Sequence, residues 1–221
     1  MEKREILLDN HLIEYTINYK NIKKCYLKVN NGQVVINTNP YFGINNIEKF
    51  IRDNSKMVLS ALDSYLVKYD YQDNGFVYIF NQRYRIVLKD MNIKKCVIHE
   101  SDIYVYHHNI QGVIEAYLRS LLFEYLDDRI DDFLVNDFNL DKPDIEIKRM
   151  KIRWGACFNQ QNKVCFNLVL AHLDKELIDY VITHEMTHFL QPNHSKYFYL
   201  ELAKRMPDYK LREKKLKEVG I

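Results

Sequence analysis

The sequence predicts an α+β fold with two unlike halves. The N-terminal half is β-rich, and the C-terminal half has helices packed on a small antiparallel or mixed sheet. Three observations predict it. Short β-branched and aromatic runs, separated by turn residues, crowd the first hundred positions. Apolar residues three and four apart recur over 110–135 and again over 174–191. Between these helices, Ile145 to Ile147 and Val164 to Leu170 read as two more short strands. The expected organisation is one β-rich subdomain with a long helix over 1–108, and a second subdomain over 109–221.

Taken in order, the first forty residues read as strands. Tyr26 to Val29 and Val34 to Ile36 flank Asn30-Asn31-Gly32, a tight reversal favoured by Asn-Gly. Residues 45–69 predict one helix, carried by Ile47, Phe50, Ile51, Val58, Leu59, Leu62 and Leu66. Val77 to Phe80 and Tyr84 to Leu88 predict a hairpin turning at Asn81-Gln82-Arg83, where Asn tolerates a left-handed backbone. Strands continue over 95–107, and a long helix follows over 110–135. Its acidic face, with Asp127, Asp128, Asp131 and Asp132, reads as solvated. A further helix runs from about Asn193 or Ser195 to Lys204, and the basic end beyond it reads as a solvated terminal helix.

At 221 residues the chain can bury a substantial core. Hydrophobic residues make up 47% and charged residues 28%, a globular balance, and the net charge of +2 argues neither for nucleic acid nor for membrane. Cys25, Cys96, Cys157 and Cys165 form no CxxC pair, which suggests free thiols, with Cys157 and Cys165 able to face each other across a hairpin. The N-terminus lacks the apolar core of a signal peptide, and no apolar run reaches the ~20 residues that span a bilayer. A cytoplasmic protein is expected.

The chemistry concentrates at His184-Glu185-Met186-Thr187-His188, followed by His194. Residues four apart on a helix share one face, so His184 and His188 can aim two imidazoles at one metal, with Glu185 beside it to handle a water. A third histidine fits the catalytic zinc pattern of three protein ligands and one open position. Asp174 is the expected N-cap and Glu176 suits the first turn. Pro192 stops the helix, which lets the chain double back and bring His194 from another direction. The spacing from His188 to His194 also occurs in HExxHxxGxxH, but Gln191 stands at the glycine position. Met206 reads as an ordinary apolar residue.

With these residues in place, the chain resembles the YgjP-like zincin-type metallopeptidases, related in their core to the SprT and Wss groups. Three tracts carry the resemblance: MKIRWGAC at 150–157, VCFNLVL at 164–170 with its asparagine at Asn167, and IDYVITHEMTHFLQPNHSKYF at 178–198. Ala156 stands where the family usually has serine. The resemblance implies a zincin-like catalytic half, one Zn²⁺ per chain and a peptide or protein substrate. In that reading His184, His188 and His194 hold the metal and Glu185 is the general base. Arg153, Tyr197 and Asn167 are the candidates for substrate binding or transition-state stabilisation, and the strand from Val164 to Leu168 is the candidate for pairing with an extended peptide. Two alternatives use other substrates. The basic cluster Lys148, Arg149, Lys151 and Arg153 would suit a nucleoside triphosphate, as in a metal-dependent pyrophosphohydrolase. The basic C-terminal end would suit a DNA-associated SprT-like protease.

Overall fold

The computed structural model describes residues 2–9, 11–30, 32–63, 69–135 and 140–219. It is α+β, as the periodicities predict. Contact density divides the chain into two compact units, Met1–Val67 with Lys217–Ile221, and Lys68–Leu216. The boundary expected between 108 and 109 falls within the second of these.

In the first unit, β1 (Glu2–Leu8), β2 (His11–Tyr19), β3 (Tyr26–Asn30) and β4 (Gln33–Thr38) form a sheet of order β1-β2-β4-β3. Only the β2–β4 pairing is parallel. Side chains two apart share a face, and Ile6, Leu8, Tyr15, Ile17, Val34 and Ile36 all bury the same way. Against them pack Ile47 and Ile51 of α1 (Ile44–Asp53) and Val58 of α2 (Ser55–Asp63). In the predicted Asn-Gly reversal Gly32 has φ 68° and Asn30 pairs with Gln33; Asn31 lies outside the described residues. The single helix expected over 45–69 is instead two. Asn54 breaks it by donating its side-chain amide to the Phe50 carbonyl at 2.8 Å, a local bond that competes with helix continuation. Leu66 lies outside the described residues.

The second unit holds β5 (Tyr69–Asp70), β6 (Phe76–Ile79), β7 (Gln82–Leu88), β8 (Cys96–His99) and β9 (Asp102–Val105), in the order β5-β6-β7-β9-β8. The β6–β7 reversal sits one residue earlier than the sequence predicts. Ile79 pairs with Gln82, so Phe80 and Asn81 form the turn with φ 47° and 66°. Both signs suit the primed turns of tight hairpins. Phe80 tolerates its backbone because it is tied elsewhere: its N–H donates to the Ala171 carbonyl at 2.8 Å and its ring packs 5.5 Å from Tyr125.

After α3 (Ile110–Leu134), β10 (Asp144–Lys148), β11 (Gly155–Phe158) and β12 (Lys163–Asn167) form a small mixed sheet of order β10-β12-β11. β12 is parallel to β10 and antiparallel to β11. The strand expected to reach Leu170 ends at Asn167, whose side chain accepts from the Val169 N–H and starts a 3-10 turn over Leu168–His172. Three helices complete the unit: α4 (Lys175–Leu190), α5 (Lys196–Arg205) and most of α6 (Tyr209–Val219). On α3, Lys142 bridges Asp127 and Asp131, and Arg129 pairs with Asp132. Among the described residues no helix is long and apolar enough to cross a membrane.

Candidate metal centre

α4 is anchored by an apolar stripe of Leu177, Ile178, Val181, Ile182 and Met186, all buried. Asp174 occupies the N-cap position, but its carboxylate accepts from the Asn81 side chain at 2.8 Å rather than from its own helix. The helix start is thereby tied to the β6–β7 turn. At the other end Gln191 is extended, as expected before proline. This break turns the chain so that His194, outside any helix, reaches back to the α4 face.

The result is convergence. His184, His188 and His194 each offer one ring nitrogen, all within 4.8 Å of one another, and they are the one such group of His, Cys, Asp or Glu side chains among the described residues. The Nε2 atoms of His184 and His194 lie 3.0 Å apart. His188 turns Nδ1 toward the Gln191 carbonyl at 3.3 Å, leaving Nε2 for the cluster. Burial, then the neighbouring His188 and His194, push the His184 pKa down to about 4. Burial lowers His188 as well. Both rings are therefore neutral at physiological pH, with lone pairs available.

These donors fit a zinc ion. Zn–N bonds of about 2.0–2.1 Å place two ligand nitrogens roughly 3.3 Å apart in a tetrahedral set, close to the separation seen between His184 and His194. Phe198 of α5, fully buried, forms a common floor, with its ring centroid 5.0, 4.7 and 4.8 Å from those of His184, His188 and His194.

Glu185 points to the β11 side. It is 8% exposed, and burial raises its pKa to about 7, opposed by the Cys157 backbone N–H and the Arg153 charge. Gly155 makes room for it. A Cβ at Gly155 would lie 2.6 Å from Glu185 Cγ and 2.8 Å from Oε1. The glycine is needed for close approach of strand to side chain.

The remaining candidates divide. Arg153 is exposed and its charge reaches Glu185. Tyr197 is 68% exposed in the first turn of α5, whereas the neighbouring Tyr199 stacks with His194 at 6.3 Å. Asn167 is fully buried with its amide committed to backbone groups. Cys157 lies opposite Val164 and Cys165 opposite Ala156, so the two thiols do not face each other, and all four cysteines are free. Of the basic cluster, Lys148 pairs with Glu146 at 2.8 Å and Arg149 with Glu115 at 2.6 Å. Sequence reasoning missed Phe198, Tyr199 and Gly155. Only Gly155, a glycine amid strand-forming residues, carried a signal of close packing.

The sequence profile of the YgjP-like metallopeptidase domain matches residues 23–219, nearly the whole chain. The chain belongs to the YgjP-like family. This makes it a metallopeptidase by descent, with a metal implied. No curated protein matches the YgjP-like chain. Among solved structures it is similar to the metallopeptidase zymogen jannalysin of Methanocaldococcus jannaschii, at 26% identity over 41% of this chain and 91% of that one, with a TM-score of 0.37. It is also similar to the metallopeptidase zymogen abylysin of Pyrococcus abyssi, at 18% identity over 43% and 99%, with a TM-score of 0.39.

Proposed function

We propose that this YgjP-like protein is a zinc-dependent peptidase in which His184, His188 and His194 hold the ion and Glu185 is the general base. The observation that carries this is the convergence of three ring nitrogens within 4.8 Å, two of them from the helix that also carries the buried Glu185 carboxylate next to His184. When bound, zinc supplies Lewis acidity toward a water and a substrate carbonyl. Glu185, whose buried carboxylate is raised toward neutrality by desolvation, is the group that would take a proton from the attacking water and return it to the leaving amine. The Cys157 N–H bonds its carboxylate from the β11 side, and the Arg153 charge favours the ionised form. Arg153 and Tyr197 are the groups available to a developing oxyanion, Arg153 through its charge and Tyr197 through its exposed hydroxyl.

An extended peptide needs a free strand edge. β12, the strand the sequence nominates, is paired on both sides; β10 and β11 are the edges of the small sheet, and β11 is the one directly beside Glu185. A peptide laid along β11 would carry its scissile carbonyl past the histidines. The ion pairs of Lys148 and Arg149 favour this over a triphosphate, since half of the basic cluster is already neutralised.

Zinc content of the purified protein and of His188→Ala, followed by assays on casein and on nucleoside triphosphates, tests the proposal. About one zinc per chain, lost in the variant, with casein cleaved and triphosphate intact, is the expected result. Triphosphate hydrolysis without peptide cleavage would reassign the substrate, and absence of zinc uptake would remove the metal centre. Glu185→Gln should retain zinc and lose turnover; full activity in that variant would exclude Glu185 as the base.

A further inference from the structure

Between β10 and β11 the chain runs through Arg149–Trp154 without regular structure. Its backbone polar groups have no ladder to join, and buried ones need partners. Asn167, at the end of the central strand β12, supplies them. Its Nδ2 donates to the carbonyls of Met150 at 2.8 Å and Arg153 at 2.9 Å. Its Oδ1 accepts from the N–H of Met150 at 3.2 Å and of Val169 at 3.3 Å. Its own backbone N–H donates to the Trp154 carbonyl at 2.8 Å. A primary amide offers two donors and two acceptor lone pairs, and all four are used here. Nothing on this fully buried side chain is left for a substrate.

The loop is held from its other end too. Arg149 donates to Glu115 of α3 at 2.6 Å and to the Tyr69 hydroxyl at 3.2 Å, and Arg119 of α3 bonds the Ile147 carbonyl just upstream. What emerges from this clamp is the set of groups that surround Glu185. The Arg153 charge acts on it through space, Gly155 leaves it room where a side chain would clash, and Cys157 gives it an N–H.

We propose that Asn167 is a positioning residue for Glu185, acting through the Arg149–Trp154 loop that it clamps. The inference rests on the reading of Glu185 as the base. The clamp sets where Gly155 and Cys157 stand, and a displacement of about 1 Å in such a surround costs on the order of 10²-fold in rate. Asparagine suits the position because aspartate would set a carboxylate oxygen against two carbonyls, and an apolar residue would leave four backbone groups unpaired.

The test uses Asn167→Ser and Asn167→Asp in the full chain, with a quenched-fluorescence peptide that the wild type cleaves. Trp154 is the single tryptophan, so its emission reports on the loop without interference. The expected result is zinc still at about one per chain, KM within about twofold, kcat lower by roughly 10- to 100-fold, and Trp154 emission shifted to the red with or without zinc. Combined with Arg153→Ala, the losses should be less than multiplicative, because both act on one carboxylate. Glu115→Gln releases the loop from its other anchor and should show the same signature more mildly; it carries the test if neither Asn167 variant folds. Raised KM at unchanged kcat would make Asn167 a substrate contact, and unchanged kcat in an active enzyme would overturn the proposal alone. A zinc-loaded wild type that cleaves no peptide would overturn the base assignment and this proposal together.

Discussion

The tightest constraint on the site is a missing side chain. Gly155 stands so close to Glu185 that a single methyl group would overlap it, and the β11 backbone surrounds the carboxylate on that side. Gly155→Ala should therefore leave the fold and zinc content intact while moving the carboxylate. A kcat lower by on the order of 10²-fold, measured beside an unchanged zinc stoichiometry, is expected. Equal turnover would show that Glu185 can shift without cost. At this scale the sequence was half legible. His184, Glu185, His188 and His194 were visible because a helix makes four-residue spacing a statement about one face. Asn167 was visible as a residue but not as a clamp, since its partners at Met150 and Arg153 follow from a loop path that no spacing encodes.

Among the elements, α4 and α5 meet at the histidines, and Phe198 is their shared contact. The sequence announces the end of α4 at Pro192, but the packing of α5 under all three imidazoles depends on how the chain doubles back. Phe198→Ala empties a fully buried position and should cost about 3–5 kcal/mol, read as a lower denaturant midpoint. It should also weaken zinc binding, measured by competition with a chelator, because the rings lose their common floor. Zinc affinity equal to that of the wild type would confine Phe198 to packing. Where elements departed from expectation, a specific tertiary or side-chain bond prevailed over local pattern. The Phe80 N–H to Ala171 bond moved the β6–β7 turn by one residue, Asn54 split the first helix, and Asn167 ended β12 early.

For the molecule as a whole, buried phenols and thiols set an alkaline limit. Burial pushes the Cys96 thiol up to about 11 and, with help from the Glu185 charge, the Cys157 thiol up to about 12. Burial likewise raises Tyr71, Tyr125 and Tyr180 well above the ordinary tyrosine range, with the Asp179 carboxylate adding to the effect at Tyr125. A folded pKa above the unfolded one means that the native state keeps protons that the unfolded chain has released. Stability is then full below the unfolded values, about 8.5 for thiol and 10 for phenol, and falls as pH rises toward the folded ones. The melting temperature should decline steadily from about pH 9 to pH 11. Tyrosine ionisation, followed by absorbance, should divide into an early class near pH 10 and a late class that appears only with loss of near-ultraviolet ellipticity. The late class should include Tyr71, Tyr125 and Tyr180, the phenols that burial protects most. One reversible step for all 17 tyrosines, with the ellipticity unchanged, would mean that these hydroxyls reach water in the native protein and that the packing of α3 against α4 is looser than described.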